Sequence, residues 1–218
     1  MANRLPDLAG MRRHYGPDGL AEHGLAPTWI EQLSGWLQDA VLAGVPEPNA
    51  MVLATVDAGG APAARTVLLK GLDERGLTFY TNLRSCKGLE LDHDRRASAV
   101  LLWLPVHRQV RVDGSVEEIG AEEADAYFAS RPRGSRLAAL ASPQSEVIES
   151  RAALDRRYAE LERRHPEPSP VPRPHWWGGR RLAPSSVEFW QGRENRLHDR
   201  LRYRRGDTGT WLVERLAP

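Results

Sequence analysis

The chain has 218 residues, a formal net charge of +1, 41% hydrophobic residues and a mean hydropathy of −0.51. That is enough to bury one good core and too balanced in charge to argue for nucleic acid or a membrane surface. A single cysteine, Cys86, excludes an intrachain disulfide and fits a reducing compartment; the first twenty residues lack a signal peptide's apolar core, and no run reaches the ~18 apolar residues of a membrane span, so a cytoplasmic protein is expected.

Residues 1–25 are polar and carry Gly16, Pro17, Gly19 and Gly24, which predicts a mobile arm ahead of a single domain over 26–218. Trp29, Ile30, Leu33, Trp36, Leu37, Ala40 and Val41 recur at helical spacing, predicting a helix from about Pro27 to Ala43 with Pro27 in its first turn. Met51–Val56 and Ala64–Lys70 flank Asp57-Ala-Gly-Gly60, a hairpin signal, and Leu77–Thr81 follows the turn at Asp73-Glu-Arg-Gly76. A helix is expected from Ser85, as N-cap, to about Asp94. Ala97–Leu104 reads as a fully buried strand, and Arg108–Ile119 as an alternating strand with a bulge at Gly114. Helices are predicted over Ala121–Ser130, Ser135–Ala141 and Ser150–His165, then an extended connector with five prolines over Pro166–Pro174. Strands return at Ser186–Gln191, Arg200–Arg204 and Thr210–Arg215. Short strands joined by tight turns predict an antiparallel barrel rather than βαβ units: a mostly β fold with α elaborations.

Neither a Gly-x-Gly-x-x-Gly fingerprint nor a P-loop is present, and there is no Gly-x-Ser-x-Gly elbow. The histidines at 14, 23, 93, 107, 165, 175 and 198 show no metal-ligand spacing, so no metal is expected. Three constellations remain. Arg65-Thr-Val-Leu-Leu-Lys70 sets a cation at each end of an apolar run, which by itself equally describes a buried strand whose charged ends reach water. Arg84-Ser-Cys-Lys87 opens a predicted helix after Phe79-Tyr-Thr-Asn82, where free N–H groups, the helix dipole and a lysine suit an anion. Tyr127 and Arg131 share a helix face and Ser135 follows Pro132 and Gly134; phenol, guanidinium and hydroxyl suit a phosphomonoester, or else cap and tether a helix pair. Gln144 and Ser145 add donors in the next loop.

The stretch from Glu188 to Arg200 sets Phe189 and Trp190 beside Arg196, His198 and Arg200, whose period-two spacing predicts one strand face. An aromatic wall with donors suits a flat, anionic heteroaromatic ligand, and also a basic surface strand packed on a tryptophan. This stretch, with the closing Glu-Arg-Leu-Ala-Pro at 214–218, resembles the C-terminal motif of the pyridoxine (pyridoxamine) 5′-phosphate oxidases. The resemblance runs from about Met11 to Pro218 through separated motifs in the expected order.

What the resemblance implies is an FMN-binding split β-barrel working as a homodimer with active sites between subunits. The implied reaction oxidises pyridoxine and pyridoxamine 5′-phosphates to pyridoxal 5′-phosphate, by hydride transfer from C4′ to flavin N5 and reoxidation by O2 with release of H2O2. Carried over by position, Arg65, Thr66, Val67, Leu68, Leu69, Lys70, Tyr80, Thr81 and Lys87 match the FMN-binding strand and phosphate end. Gln109, Gln144, Ser145, Trp190 and Arg200 match further flavin contacts, some from the partner subunit. Lys70, Tyr127, Arg131 and Ser135 match the substrate-phosphate site, Arg196 and His198 the residues that hold the pyridine ring, and Arg12 and Tyr15 an N-terminal lid.

The chain departs from the family pattern where Ser85-Cys86-Lys87 stands for Ser-Arg-Lys, losing an FMN-phosphate arginine for which Arg84 is a candidate substitute. A charge-assisted hydrogen bond is worth roughly 1.5–3 kcal/mol, about ten- to a hundredfold in affinity. Arg136, Leu140 and Arg180 also differ, at positions expected on the rim of the site. Two other readings stay open: a flavin oxidase of the same fold with a phenazine-type substrate, and a non-catalytic flavin or pyridoxal-phosphate binding protein.

Overall fold

Residues 8, 10, 15–16 and 19–218 are described by the structure, a computed structural model. They fall into two compact units: one holds residues up to Pro48 with Leu102–Val110 and Val187–Pro218, the other Asn49–Leu101 and Arg111–Ser186.

In the first unit, α1 spans Trp29–Leu42. Thr28 is its N-cap in a capping box: Glu31 N–H donates to Thr28 Oγ1 at 3.3 Å and Thr28 N–H to Glu31 Oε2 at 3.2 Å. Pro27 therefore precedes the cap instead of occupying the first turn. Trp29, Leu33, Trp36 and Ala40 are buried as their spacing predicts, whereas Val41 is exposed. Trp36 meets Phe189 edge-on at 5.2 Å and Phe189 meets Tyr203 at 5.6 Å. The Tyr203 hydroxyl, donating to Ala26 O at 2.6 Å, ties the approach to α1 onto this core.

The second unit begins with the hairpin of β1 (Ala50–Val56) and β2 (Pro62–Leu68), antiparallel with Ala50 opposite Leu68. Asp57 Oδ1 accepts from Gly59 N–H and Ala61 N–H, both at 2.8 Å, which is why an Asp-led turn closes it. Then come β3 (Gly71–Asp73), β4 (Gly76–Asn82), α2 (Cys86–His93), β5 (Arg96–Trp103) and β6 (Arg108–Glu118). The helices α3 (Ala121–Ser130), α4 (Arg133–Ala141) and α5 (Arg151–Arg164) follow, and the chain closes with β7 (Trp177–Gln191), β8 (Asp199–Arg205) and β9 (Trp211–Arg215). Hydrogen bonding orders the strands β2-β1-β5-β6-β7-β4-β3, with β8 joining β7 and β9; the β1–β2, β1–β5, β3–β4, β4–β7 and β8–β9 ladders are antiparallel. Among the described residues no helix is long and apolar enough to cross a membrane.

Three expectations need correction. β5 is not buried on both faces: it alternates, with Ala97, Ala99, Leu101 and Trp103 inside and Leu102 51% exposed. At Gly114, where a bulge was expected, the backbone is closely approached: a Cβ there would lie 2.0 Å from the Ala183 carbonyl oxygen. α4 starts at Arg133, so Ser135 is its third residue and not its opening one. β7 begins at Trp177, nine residues before the predicted Ser186. The Gly178-Gly179 pair and Pro184 read as breakers, but β7 lies against β4 with Tyr80 opposite Gly179, where a Cβ would sit 2.2 Å from Ile119 Cδ1 and 2.9 Å from Tyr80 Cε1. Here glycine makes room for a neighbour's ring.

Candidate active site

A cavity of about 350 Å³ in the second unit gathers ten of the expected site residues. Thr66, Val67 and Leu68 line it from β2, with Lys70 just beyond; β4 adds Tyr80 and Thr81, and α2 adds Lys87. Tyr127 and Arg131 reach it from α3 and its C-cap, and Gln144 from the loop after α4. Leu69 instead points into the core, Ser135 is half-buried in α4, and Ser145 is exposed in a left-handed conformation; none of the three lines the cavity. Arg65 is also outside the lining: its guanidinium is held by Glu90 at 2.6 Å and by Thr55.

Lys87 is 8% exposed, yet Nζ donates only to neutral oxygens here: Thr81 Oγ1 at 2.9 Å, Ser85 Oγ at 3.0 Å and Gln144 Oε1 at 3.1 Å. Burial, reinforced by the charge of Arg65, holds its pKa below the usual lysine value. Ser85 sits at the N-cap of α2, but its hydroxyl donates back to Asn82 O at 2.6 Å and caps no N–H of the helix. A buried ammonium ringed by neutral oxygens in the first turn of a helix is a ready partner for an anion.

Another cation of the cavity, Arg131, is set in an aromatic stack. Tyr80 lies parallel to Tyr127 at 3.8 Å and to Trp177 at 5.4 Å, and the Arg131 guanidinium sits over Trp177 at 4.8 Å. Burial lowers the pKa of Arg131, and its Nη1 is buried without a hydrogen-bond partner among the described residues. An orphaned guanidinium nitrogen costs stability unless something anionic meets it.

The remaining candidates lie in the first unit. Arg196 and His198 do not alternate along a strand: Glu194–Arg196 is a 3-10 turn with Asn195 and Arg196 at φ of 53° and 64°, and β8 starts only at Asp199. His198 Nδ1 accepts from the Arg193 N–H at 3.1 Å, so the neutral ring carries its proton on Nε2. Burial and then the charge of Arg196 lower its pKa. Trp190 lies 4.6 Å from His198, and Tyr15 meets His198, Trp190 and His107 edge-on at 5.6, 6.0 and 4.7 Å. Arg200 donates to Glu188 Oε1 at 2.7 Å, which raises its pKa, and to Ala217 O at 2.9 Å. Gln109 is half-buried on β6, and Arg12 lies outside the described residues.

The profile of the family described as pyridoxamine 5′-phosphate oxidase matches residues 37–165, and that of the pyridoxine 5′-phosphate oxidase C-terminal dimerisation region matches 177–218. The chain belongs to the pyridoxamine 5′-phosphate oxidase family. Proteins named pyridoxine/pyridoxamine 5′-phosphate oxidase from Rubrobacter xylanophilus and Frankia alni are 56% and 55% identical to it, over 97% and 98% of this chain and 97% and 90% of theirs. A crystal structure of PhzG from Burkholderia lata 383, in complex with tetrahydrophenazine-1-carboxylic acid, matches with a TM-score of 0.86 at 33% identity, covering 92% of this chain and 98% of that one. The fold is thus the split β-barrel expected of the family, mostly antiparallel β with helical elaborations.

Sequence reading missed several residues of this family member's cavity. Asn82, Ser142 and Trp177 line it, and His107 joins the Tyr15 cluster. The adjacent Trp176-Trp177 was the available signal, but only the pairing of β7 with β4 sets Trp177 parallel to Tyr80. Two expected substitutes serve elsewhere. Arg84 contacts His175 Nε2 at 2.7 Å and lies over Trp176, and Arg180 is buried in ion pairs with Asp92 and Glu118, not on a rim. Cys86 is exposed at the first position of α2.

Proposed function

We propose that this protein is an FMN-dependent oxidase converting pyridoxine 5′-phosphate and pyridoxamine 5′-phosphate to pyridoxal 5′-phosphate, with O2 as acceptor and H2O2 released. The observation that carries the reading is one cavity holding two underused cations, Lys87 among neutral oxygens and Arg131 with an orphaned Nη1. Two phosphate-bearing molecules, cofactor and substrate, fit that demand.

Lys87 and the N–H groups opening α2 would take the FMN phosphate, with Thr66, Val67, Leu68, Lys70, Tyr80, Thr81 and Gln144 along the cofactor. Gln109, Trp190 and Arg200 belong to the first unit and, in a homodimer, complete the site from the partner. The matching of 177–218 to a dimerisation region supports that arrangement. Bound FMN supplies two-electron redox chemistry at the substrate C4′ and passes the electrons to O2. Everything else is binding and orientation by the chain. Lys70, Tyr127 and Arg131 grip the substrate phosphate and so fix where C4′ lies. Arg196 and His198 hold the pyridine ring; with Nδ1 committed to Arg193, His198 offers an Nε2–H donor to a hydroxyl oxygen carried by that ring. Tyr15, against His198 and Trp190, covers the ring from the arm. The reading treats residues 26–218 as one FMN-binding domain, because β5, β6 and β7 each run through both units. A cytoplasmic setting fits the lone cysteine.

The likeness to PhzG favours a second reading, oxidation of a phenazine-type ring. A substrate with no phosphomonoester would leave Lys70, Tyr127 and Arg131 without a dianion, which weighs against it. The deciding experiment is O2-dependent formation of pyridoxal 5′-phosphate from pyridoxine 5′-phosphate, with and without added FMN. Turnover only with added FMN keeps the function and locates the defect in cofactor retention. No turnover with flavin demonstrably bound rejects the oxidase.

A further inference from the structure

The arm that carries Tyr15 and the loop that carries His198 meet at one carboxylate. Asp199 Oδ2 accepts from the Leu20 N–H at 2.9 Å and from Arg193 Nη1 at 3.1 Å, while Oδ1 accepts from Arg215 Nη1 at 2.7 Å. Each donor belongs to a different segment. Leu20 lies five residues after Tyr15 and is itself buried, Arg193 is the residue whose N–H engages His198 Nδ1, and Arg215 ends β9. Arg215 grips the arm a second time, donating to both carboxylate oxygens of Glu22 at 2.7 and 2.9 Å and to Leu20 O at 3.1 Å. The Asp199 side chain is 15% exposed, and its three donors hold it from three directions.

We propose that Asp199 is a positioning residue for the oxidation: it ties the Tyr15 arm to the loop that sets the tautomer and direction of His198. This rests on the reading that Tyr15 and His198 face the substrate. Asp199 touches neither cofactor nor substrate; it acts through the Leu20 amide on one side and through Arg193 on the other. Loss of the tie releases both groups together, and misplacement by about an ångström in an oriented site costs on the order of a hundredfold in rate.

The test compares Asp199→Asn, which keeps the shape and removes the charge, in the otherwise native holoenzyme and in a Tyr15→Ala, His198→Ala background. The expected result is a fall of about ten- to a hundredfold in kcat/KM in the first setting and little or none in the second, because an effect transmitted through those two groups vanishes with them. The 15N signals of the His198 ring should show Nδ1 unprotonated in the parent enzyme and a mixture of tautomers in Asp199→Asn. An equal loss in both settings, or unchanged kinetics and tautomer, overturns the proposal. If Asp199→Asn does not fold, Arg193→Gln, which keeps the backbone donor and cuts the side-chain tie, is read the same way. A parent enzyme that turns over no B6 phosphate rejects the function itself; the tautomer comparison still decides whether Asp199 sets His198.

Discussion

Replacing Arg131 by methionine separates the two costs that meet at this residue. Methionine keeps an apolar stem against Trp177 and Phe128 and removes the guanidinium, whose carbon lies 4.8 and 5.6 Å from those rings. If Arg131 grips the substrate phosphate, the variant loses charge-assisted hydrogen bonding worth about 1.5–3 kcal/mol. At 1.4 kcal/mol per decade, KM for pyridoxine 5′-phosphate rises about 10- to 150-fold, with a smaller change in kcat. Stability should fall little if at all. The lost cation–π contact is worth about 0.5–2 kcal/mol, but the buried, unpartnered Nη1 disappears with it, relieving about 1–3 kcal/mol. The balance runs from a loss of about 1 to a gain of about 2.5 kcal/mol, so for a chain of this size Tm should fall by no more than about 4 °C. The assay is steady-state formation of pyridoxal 5′-phosphate at saturating FMN, run in parallel with unphosphorylated pyridoxine; the preference for the phosphorylated substrate should shrink by the same factor as KM grows. An unchanged KM, or a large drop in Tm with KM intact, would make Arg131 a structural residue and refute the reasoning.

Lys87→Met should weaken FMN binding at least tenfold in a flavin-fluorescence titration while leaving the apoprotein as stable or more so, since it removes a buried cation; an unaltered Kd takes Lys87 out of the site. Cys86→Arg should tighten FMN by about ten- to a hundredfold, and weaker binding would mean that the first turn of α2 holds the phosphate in another way. Gly179→Ala places a methyl 2.2 Å from Ile119 Cδ1 and should lower Tm by roughly 2–10 °C through overpacking, whereas an unchanged Tm would show that Ile119 yields freely. For His198, whose folded pKa lies below the ordinary value of about 6.5, the unfolded chain binds the proton more readily. Its contribution is therefore complete above about pH 6.5 and is lost as pH falls through the lower folded value. His198→Asn should flatten the acid side of the Tm–pH curve, and an identical slope in the variant would place the linkage elsewhere.

Local rules were enough for several elements. Helical spacing picked out Trp29, Leu33, Trp36 and Ala40, all buried in α1, and an Asp-Ala-Gly-Gly turn marked the β1–β2 hairpin, because both signals are written within a few residues. Part of the cavity lining was legible in the same way: Lys87 from its place at a helix start, and Tyr127 with Arg131 from their shared helix face, whereas Lys70 came only from the resemblance. His198 was legible as a neighbour of Trp190, but neither its geometry nor that of Arg196 was. The period-two pattern is real in the sequence, yet left-handed φ values at Asn195 and Arg196 break the strand before it starts.

What the sequence alone determined is the amphipathic helix, the hairpin, the motif order that carries the family, and which residue types stand ready for two phosphates. Tertiary structure alone decided that Gly178 and Gly179 belong inside a strand, that Trp177 stacks on Tyr80, that Arg65 is held by Glu90 while Arg131 keeps a nitrogen free, and that Asp199 joins the arm to the His198 loop. Each of these depends on a partner far along the chain. A glycine is a breaker until a neighbour's ring needs its missing Cβ, and an arginine is only a charge until the fold either gives its nitrogens a carboxylate or withholds one.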